Sequence, residues 1–314
     1  MQKVLIKGEN ISKLSLGTVQ LGMNYGVNNV SGQPSEEQAF EVLKTAVNGG
    51  VTCFDTASDY GTSERVVGDF FKKYKAKKTL IVTKFNVKKH GESIVPINEV
   101  ESRIRTHVEK SLDLLGYNKL PLLLLHNQME MFDYGDLVDK TLIKLQKEGL
   151  VDKVGVSLNG CTYTKNVLEN DLYEAVQIPL NMMDVENVFH GGIDKLGEKG
   201  KIVFIRSVFL QGLFFKNPLE LPSQGVLSRA KEPLIQLNKI AEEENISIAE
   251  MAISFIRDLK GVMSLVLGAE NAEQVKENVK LIESKKLSEK IREKIVEAFK
   301  DVDRELLCPW LWYK

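Results

Sequence analysis

Eight times along this chain a short apolar run gives way to a stretch with apolar residues at helical spacing. The runs are Leu14–Val19, Val51–Phe54, Leu80–Thr83, Leu122–Leu125, Lys153–Val156, Ala175–Ile178, Ile202–Ile205 and Ser264–Leu267. They do not alternate apolar with polar residues, so both faces of the strands they form must be covered. Parallel strands are covered in this way, because each crossover returns through a helix packed on the sheet. Eight such units within about 250–300 residues predict an α/β fold, a (β/α)8 TIM barrel. A doubly wound sheet is the alternative, but no G-x-G-x-x-G opens the first helix.

The connecting segments fit that plan. Pro34-Ser35-Glu36-Glu37 starts a helix with Ala39, Val42, Leu43 and Ala46 on one face, and Asn48-Gly49-Gly50 stops it. Helical spacing predicts further helices over Ser63–Lys73, Val100–Leu115, Tyr134–Lys147, Tyr163–Glu169, Gly191–Glu198, Lys231–Glu244, Ile248–Leu259 and Glu273–Leu281. Leu287–Val302 adds an extra C-terminal helix. Val4–Ile6 and Ile11–Leu14, around Lys7-Gly8-Glu9-Asn10, read as an N-terminal hairpin. Gln20–Gln33 and Val208–Gly225 read as long loops. No composition break divides the chain, so residues 1–314 are expected to form a single domain.

Composition narrows the partners. A net charge of −1 gives no electrostatic footprint for nucleic acid or a membrane surface. No apolar run approaches the roughly 18–20 residues of a spanning helix. The opening MQKVLIKGENISKL lacks a signal-like apolar segment, so a cytoplasmic setting is expected. Cys53, Cys161 and Cys308 are widely spaced and odd in number, which argues against both a disulfide framework and a metal site.

In a barrel of this kind, chemistry collects at the C-terminal ends of the strands. Those ends carry Asp55, with Tyr60 five residues on, then Lys84, His126 and Ser157. Gln177 lies within the next run, and Asn181 follows it. Together these residue types make chemical sense. A free tyrosine titrates near ~10, too high for good proton transfer at neutral pH. A lysine cation ~4 Å away contributes about 4 kcal/mol toward the phenolate at an effective dielectric of about 20. That is a ceiling, since burial opposes it. An aspartate would hold the lysine, and a histidine would orient a carbonyl. Taken singly, each has a plainer role: a capping acid, a packed tyrosine, a solvated lysine, a buried histidine. His90, His107 and His190 are assigned structural roles, and Cys53 is assigned to the core. A Schiff-base role for Lys84 is a competing reading.

D-T-A-x-x-Y-G-x-S-E at Asp55–Glu64 resembles the signature of the aldo-keto reductases. Thr83-Lys84, LLLLHN at Leu122–Asn127, GVS at Gly155–Ser157 and VQIPLN at Val176–Asn181 follow in that family's order. LGT at Leu16–Thr18, the run Ser207–Leu213 and LGAENAEQVKEN at Leu267–Asn278 extend the match over nearly the whole chain. The resemblance implies an NAD(P)H-dependent reductase of small-molecule carbonyls, or the reverse alcohol oxidation, with no metal. It makes Tyr60 the proton donor, Lys84 and Asp55 its tuning pair, and His126 the carbonyl-orienting group. It places Ser157 and Gln177 on the nicotinamide carboxamide and Gly17 and Thr18 on the nicotinamide half. Ser207, Leu210 and Gly212 would follow the pyrophosphate. Gly268, Gln274 and Asn278 would lie near the adenosine.

Two positions depart from the family pattern. Leu158 stands where an asparagine usually follows the serine, with Asn159 one residue later. Glu270-Asn271 stands where many relatives carry a cation for the adenosine 2′-phosphate, and Lys276 follows. NADP(H) is therefore the family default and NAD(H) an option. A cofactor-binding regulatory or scaffold protein with little turnover is the alternative function. The stretch LGTVQLGMNYGVNNVSGQP resembles relatives from sugar and polysaccharide metabolism, a lean toward a sugar-like substrate. Met23 and Tyr25 are candidate pocket walls, and Trp310, Trp312 and Tyr313 either wall the pocket or pack on the barrel.

Overall fold

The computed structural model describes residues 1–6, 9–26, 32–75, 79–88 and 91–312. Two strands, β1 (Lys3–Ile6) and β2 (Glu9–Ser12), pair antiparallel. Eight more close a parallel barrel: β3 (Leu14–Gly17), β4 (Cys53–Asp55), β5 (Leu80–Phe85), β6 (Leu120–Leu125), β7 (Val151–Ser157), β8 (Tyr173–Pro179), β9 (Ile202–Arg206) and β10 (Ser264–Gly268). Each is hydrogen-bonded to the next, and β10 closes on β3. The expected TIM barrel, its hairpin and its additional C-terminal helix, Glu289–Phe299, are present. The hairpin turn Lys7-Gly8, His90 and Tyr313 lie outside the described residues.

Parallel strands point alternate side chains into the barrel and out to the helices. Cys53, Leu80, Val82, Leu122, Leu124, Ala175, Ile202 and Phe204 form a fully buried inner cluster with Ile11 of β2. Ile11 thus carries the hairpin into the bottom of the barrel. The outward side chains join a larger core with the apolar faces of the helices, such as Val100, Ile104 and Val108 of Ile97–Leu115.

Several expectations needed correction. Val19–Gly22 is a short helix, not the end of a strand and the start of a loop. Val185–His190 adds a helix that the sequence pattern did not suggest, too short to show an apolar period. Val208–Gly225 is not featureless: it holds tight 3-10 turns at Leu210–Phe215 and Pro218–Glu220. No helix among the described residues is long and apolar enough to cross a membrane.

Candidate active site

The inward period of two carries each strand from core to mouth. Beyond Cys53 comes Asp55, beyond Val82 comes Lys84, and beyond Leu124 comes His126. By the same step Gly155 leads to Ser157, Ala175 to Gln177, Phe204 to Arg206, Val266 to Gly268, and Ser15 to Gly17. One layer of side chains therefore rings the mouth. A cleft of about 670 Å³ opens over it.

Lys84 is fully buried and donates to Asp55 Oδ2 at 2.7 Å and to the carbonyl of Thr56 at 2.9 Å. Its third contact is Tyr60 Oη at 3.4 Å. Burial pulls the ammonium down, but Asp55 and Tyr60 outweigh it and hold Lys84 above its ordinary value. Gln177 Nε2 donates to the other Asp55 oxygen at 2.7 Å. A carboxylate only accepts, so the nitrogen must face Asp55 and the Gln177 carbonyl is left over. The Tyr60 and His126 rings meet edge to face, with centroids 5.6 Å apart. Burial, with Lys84 and Arg206 adding to it, lowers the His126 imidazole against the opposing pull of Asp59. His126 Nδ1 is buried and lies 3.6 Å from Asp59 Oδ2, just outside hydrogen-bond range. The adjacent imidazole, in turn, lowers the Asp59 carboxyl.

The rest of the Asp55–Glu64 stretch fixes the loop that carries Tyr60. Ser63 Oγ donates to the Thr18 carbonyl at 2.9 Å, and the Thr18 hydroxyl bonds the Asp55 carbonyl at 2.9 Å. Buried Glu64 accepts from Thr83 at 2.6 Å, tying the helix Ser63–Tyr74 to β5. Gly61 has φ +57°, and a Cβ there would lie 2.3 Å from the Gly22 carbonyl oxygen. A Cβ on Gly22 would lie 1.9 Å from that of Tyr60. The two loops touch backbone to backbone, which only glycine allows.

Of the expected cofactor residues, Gly17, Thr18, Gln177, Ser207, Gly212, Gly268, Gln274 and Asn278 line the cleft. Ser157 and Leu210 do not; both are buried. Gln274 Oε1 accepts from the Glu270 backbone at 2.8 Å, and Asn278 Nδ2 donates to the Gly268 carbonyl at 3.3 Å. Both side chains therefore brace the loop after β10. Tyr25 lines the cleft, whereas Met23 does not. Trp312 packs beneath the tail, with Nε1 donating to the Leu306 carbonyl at 2.9 Å, and Trp310 is exposed. Cys53 is a core thiol pushed up to about 12 by burial. His107 packs beside Phe85, away from the cleft.

The cleft is also lined by residues that the sequence pattern did not single out, among them Gln20, Arg206, Gln211 and Glu277. Gln20 follows Thr18 on the short helix, and its side chain lies over Gly268, where a Cβ would meet it at 2.5 Å. Its Oε1 is buried, with no partner among the described residues. Arg206 was legible by the period of two, since it stands two residues past Phe204.

The aldo/keto reductase family model matches residues 13–299, and the chain belongs to that family. An uncharacterised oxidoreductase of Bacillus subtilis (strain 168), YqkF, is 24% identical over 292 residues, covering 89% of this chain and 90% of its own. An NADH-specific methylglyoxal reductase of Escherichia coli (strain K12) is 22% identical over 297 residues, covering 86% and 89%. Among solved structures, the aldo-keto reductase AKR11C1 from Bacillus halodurans, in its holo form, superposes with a TM-score of 0.75 at 21% identity over 95% of both chains. The family uses NAD(P)H, and this cleft suits a nicotinamide dinucleotide. Its volume lies in the ordinary range for ligand sites. It offers Gln20 Oε1, unpartnered among the described residues, and the exposed Gly268 at the end of β10. It is also flanked by a turn in which Ser207, Leu210, Gln211 and Gly212 all have positive φ. Left-handed backbone at a non-glycine residue costs about 1–2 kcal/mol, a strain that tends to collect at ligand sites.

Proposed function

We propose that the chain reduces an aldehyde or ketone to an alcohol, or runs the reverse reaction, with Tyr60 as the proton donor and NAD(H) as the preferred cofactor. The contact between Lys84 and Tyr60, 3.4 Å apart in a buried set anchored on Asp55, carries the reading. When bound, the cofactor supplies the hydride. The chain's own residues do the rest. Tyr60 gives its hydroxyl proton to the carbonyl oxygen as negative charge develops there. Lys84, fixed by Asp55 and the Thr56 carbonyl, favours the phenolate left behind. Neutral His126, with Nδ1 toward Asp59, leaves Nε2 to hydrogen-bond the carbonyl oxygen. The Gln177 carbonyl would accept from the nicotinamide carboxamide, and the turn from Ser207 to Gly212 would follow the pyrophosphate.

The cofactor preference rests on charge. Glu270 and Glu277 line the end of the cleft next to Gly268, where an adenosine would lie. Lys276 pairs with Glu273 at 2.7 Å and does not line the cleft. Carboxylates repel a 2′-phosphate but accept from a ribose hydroxyl. The test follows oxidation of NADH and NADPH with a panel of aldehydes. Turnover with NADH is expected, and Tyr60→Phe should lower kcat by about 100-fold or more with cofactor affinity unchanged. Equal kcat in the two proteins would remove Tyr60 from its role. Tight cofactor binding without turnover on any carbonyl would favour a regulatory protein instead.

A further inference from the structure

Arg206 is a cation built into the mouth of the barrel. It ends β9 and lines the cleft with Tyr60 and His126. Its guanidinium reaches across the end of β8, donating through Nη2 to the Leu158 carbonyl at 3.0 Å, just past β7. Its other polar contacts are long: Ser207 Oγ at 3.4 Å and Asn159 Oδ1 at 3.5 Å. A guanidinium carries five N–H donors. Here only the Leu158 contact is a close one, and two donors have no contact among the described residues. Among the described residues no carboxylate forms an ion pair with it, although the surface arginines Arg65, Arg103, Arg105, Arg229 and Arg304 all have one. Its charge is felt at His126 and at Tyr25. Tyr25 in turn accepts from Gln211 Nε2 at 3.3 Å on the opposite loop. A cation in a part-enclosed cleft, anchored by neutral groups alone, is prepared for an anion from outside the chain.

We propose that Arg206 forms an anion subsite at the substrate end of the cleft, so that the preferred substrate is a carbonyl compound carrying a carboxylate or phosphate near the reacting carbon. The proposal rests on the carbonyl-reductase reading above. In it, Tyr60 and His126 hold the carbonyl oxygen, Arg206 holds the anionic end, and the span between them sets which carbon faces the hydride. Arg206 then acts in specificity, not in proton transfer.

Matched substrates separate this role from a structural one. Succinic semialdehyde is compared with butanal, and glyceraldehyde 3-phosphate with glyceraldehyde; within each pair mainly the anion differs. Wild type should favour the charged member of one pair in kcat/KM, and the pair that discriminates tells carboxylate from phosphate. Arg206→Gln should raise KM for that charged substrate by about 10- to 100-fold, the worth of a charge-assisted contact. Its kcat/KM for the neutral partner and its affinity for NADH should hold. Arg206→Lys, which keeps the charge, should recover part of the loss. No charge preference in wild type, an equal loss on both members of a pair, or a loss of NADH affinity in Arg206→Gln would overturn the subsite. The last result would assign Arg206 to the cofactor pyrophosphate. If wild type turns over no carbonyl, the reductase reading fails on its own. Calorimetric titration of succinate and glycerol 3-phosphate, with NADH present, then decides the subsite. Binding that Arg206→Gln abolishes supports it, and its absence in wild type overturns it.

Discussion

Lys84 shows how tightly chemistry and stability are joined at single residues in this protein. A fully buried ammonium is tolerated because Asp55, the Thr56 carbonyl and Tyr60 satisfy it. Lys84→Met fills similar volume but leaves Asp55 with Gln177 as its one side-chain donor among the described residues. Breaking a buried pair by removing one partner typically costs about 3–5 kcal/mol. The variant should unfold at lower denaturant and lose turnover; unchanged stability would mean that Asp55 is solvated in a way its burial does not suggest. His126 gives a pH signature. Its imidazole is held below the ordinary value of 6.5 by burial. The unfolded chain therefore takes up a proton that the folded site resists. Stability is complete above that pH and falls as the pH drops through it toward the folded value. His126→Gln should flatten the slope of stability between about pH 7.5 and about pH 5.5. An identical slope in the variant would count against a neutral, desolvated ring.

Loops and strands divide the work of placing those residues. The strands fix Asp55 and Lys84 in the barrel wall, whereas Tyr60 rides on a loop whose position depends on the neighbouring one. Gly22 is the contact: a Cβ there would stand 1.9 Å from the Tyr60 carbonyl oxygen and 2.5 Å from the Ser63 nitrogen. Both obstacles are backbone, so Gly22→Ala must move the Tyr60 loop. A shift on the order of 1 Å is expected to cost about 100-fold in kcat. Cofactor affinity, set largely by the turns after β9 and β10, should change much less, and steady-state kinetics beside fluorescence titration would show the split. These elements also explain what the sequence could reveal. The strand ends were readable because apolar runs mark the core and the next inward position is the mouth. Asp55, Lys84, His126 and Gln177 all follow that rule. Arg206 obeys it too but was passed over beside Ser207. Gln20 and Gln211 sit on a one-turn helix and a 3-10 turn, both too short for a period to say which side chain turns inward. Leu210 failed to reach the cleft for the same reason, since position along the chain gives order and not the direction a turn faces. Ser157 ends a strand and obeys the period of two, yet it is buried without lining the cleft. The braces Gln274 and Asn278 likewise hold backbone that the sequence does not show.

At the scale of the molecule, the barrel separates the end that reacts from the end that holds. The mouth gathers charged and polar groups, while the bottom is closed by the hairpin, with Ile11 inside the inner cluster beside Cys53 and Leu122. The hairpin is tied on by Ser12 and Thr52, each donating its backbone N–H to the other's hydroxyl at 2.9 Å. The Thr52 hydroxyl also donates to the Asn10 carbonyl at 2.7 Å. This bottom plug is structural if the separation is real. Ile11→Ala removes three methyl or methylene groups from a site with no solvent access and leaves a void that rigid strands cannot collapse. A loss of about 2–5 kcal/mol is expected, seen as a Tm lower by roughly 3–8 °C. The residues of the mouth lie a full strand length away, so kcat/KM at a temperature where the variant is folded should stay within about twofold of wild type. A large loss of turnover in a variant that remains folded would mean that the inner cluster transmits strain upward through Val82 and Phe204 to Lys84 and Arg206. The side chains of the mouth would then depend on the packing of the layer beneath them, and not on strand geometry alone.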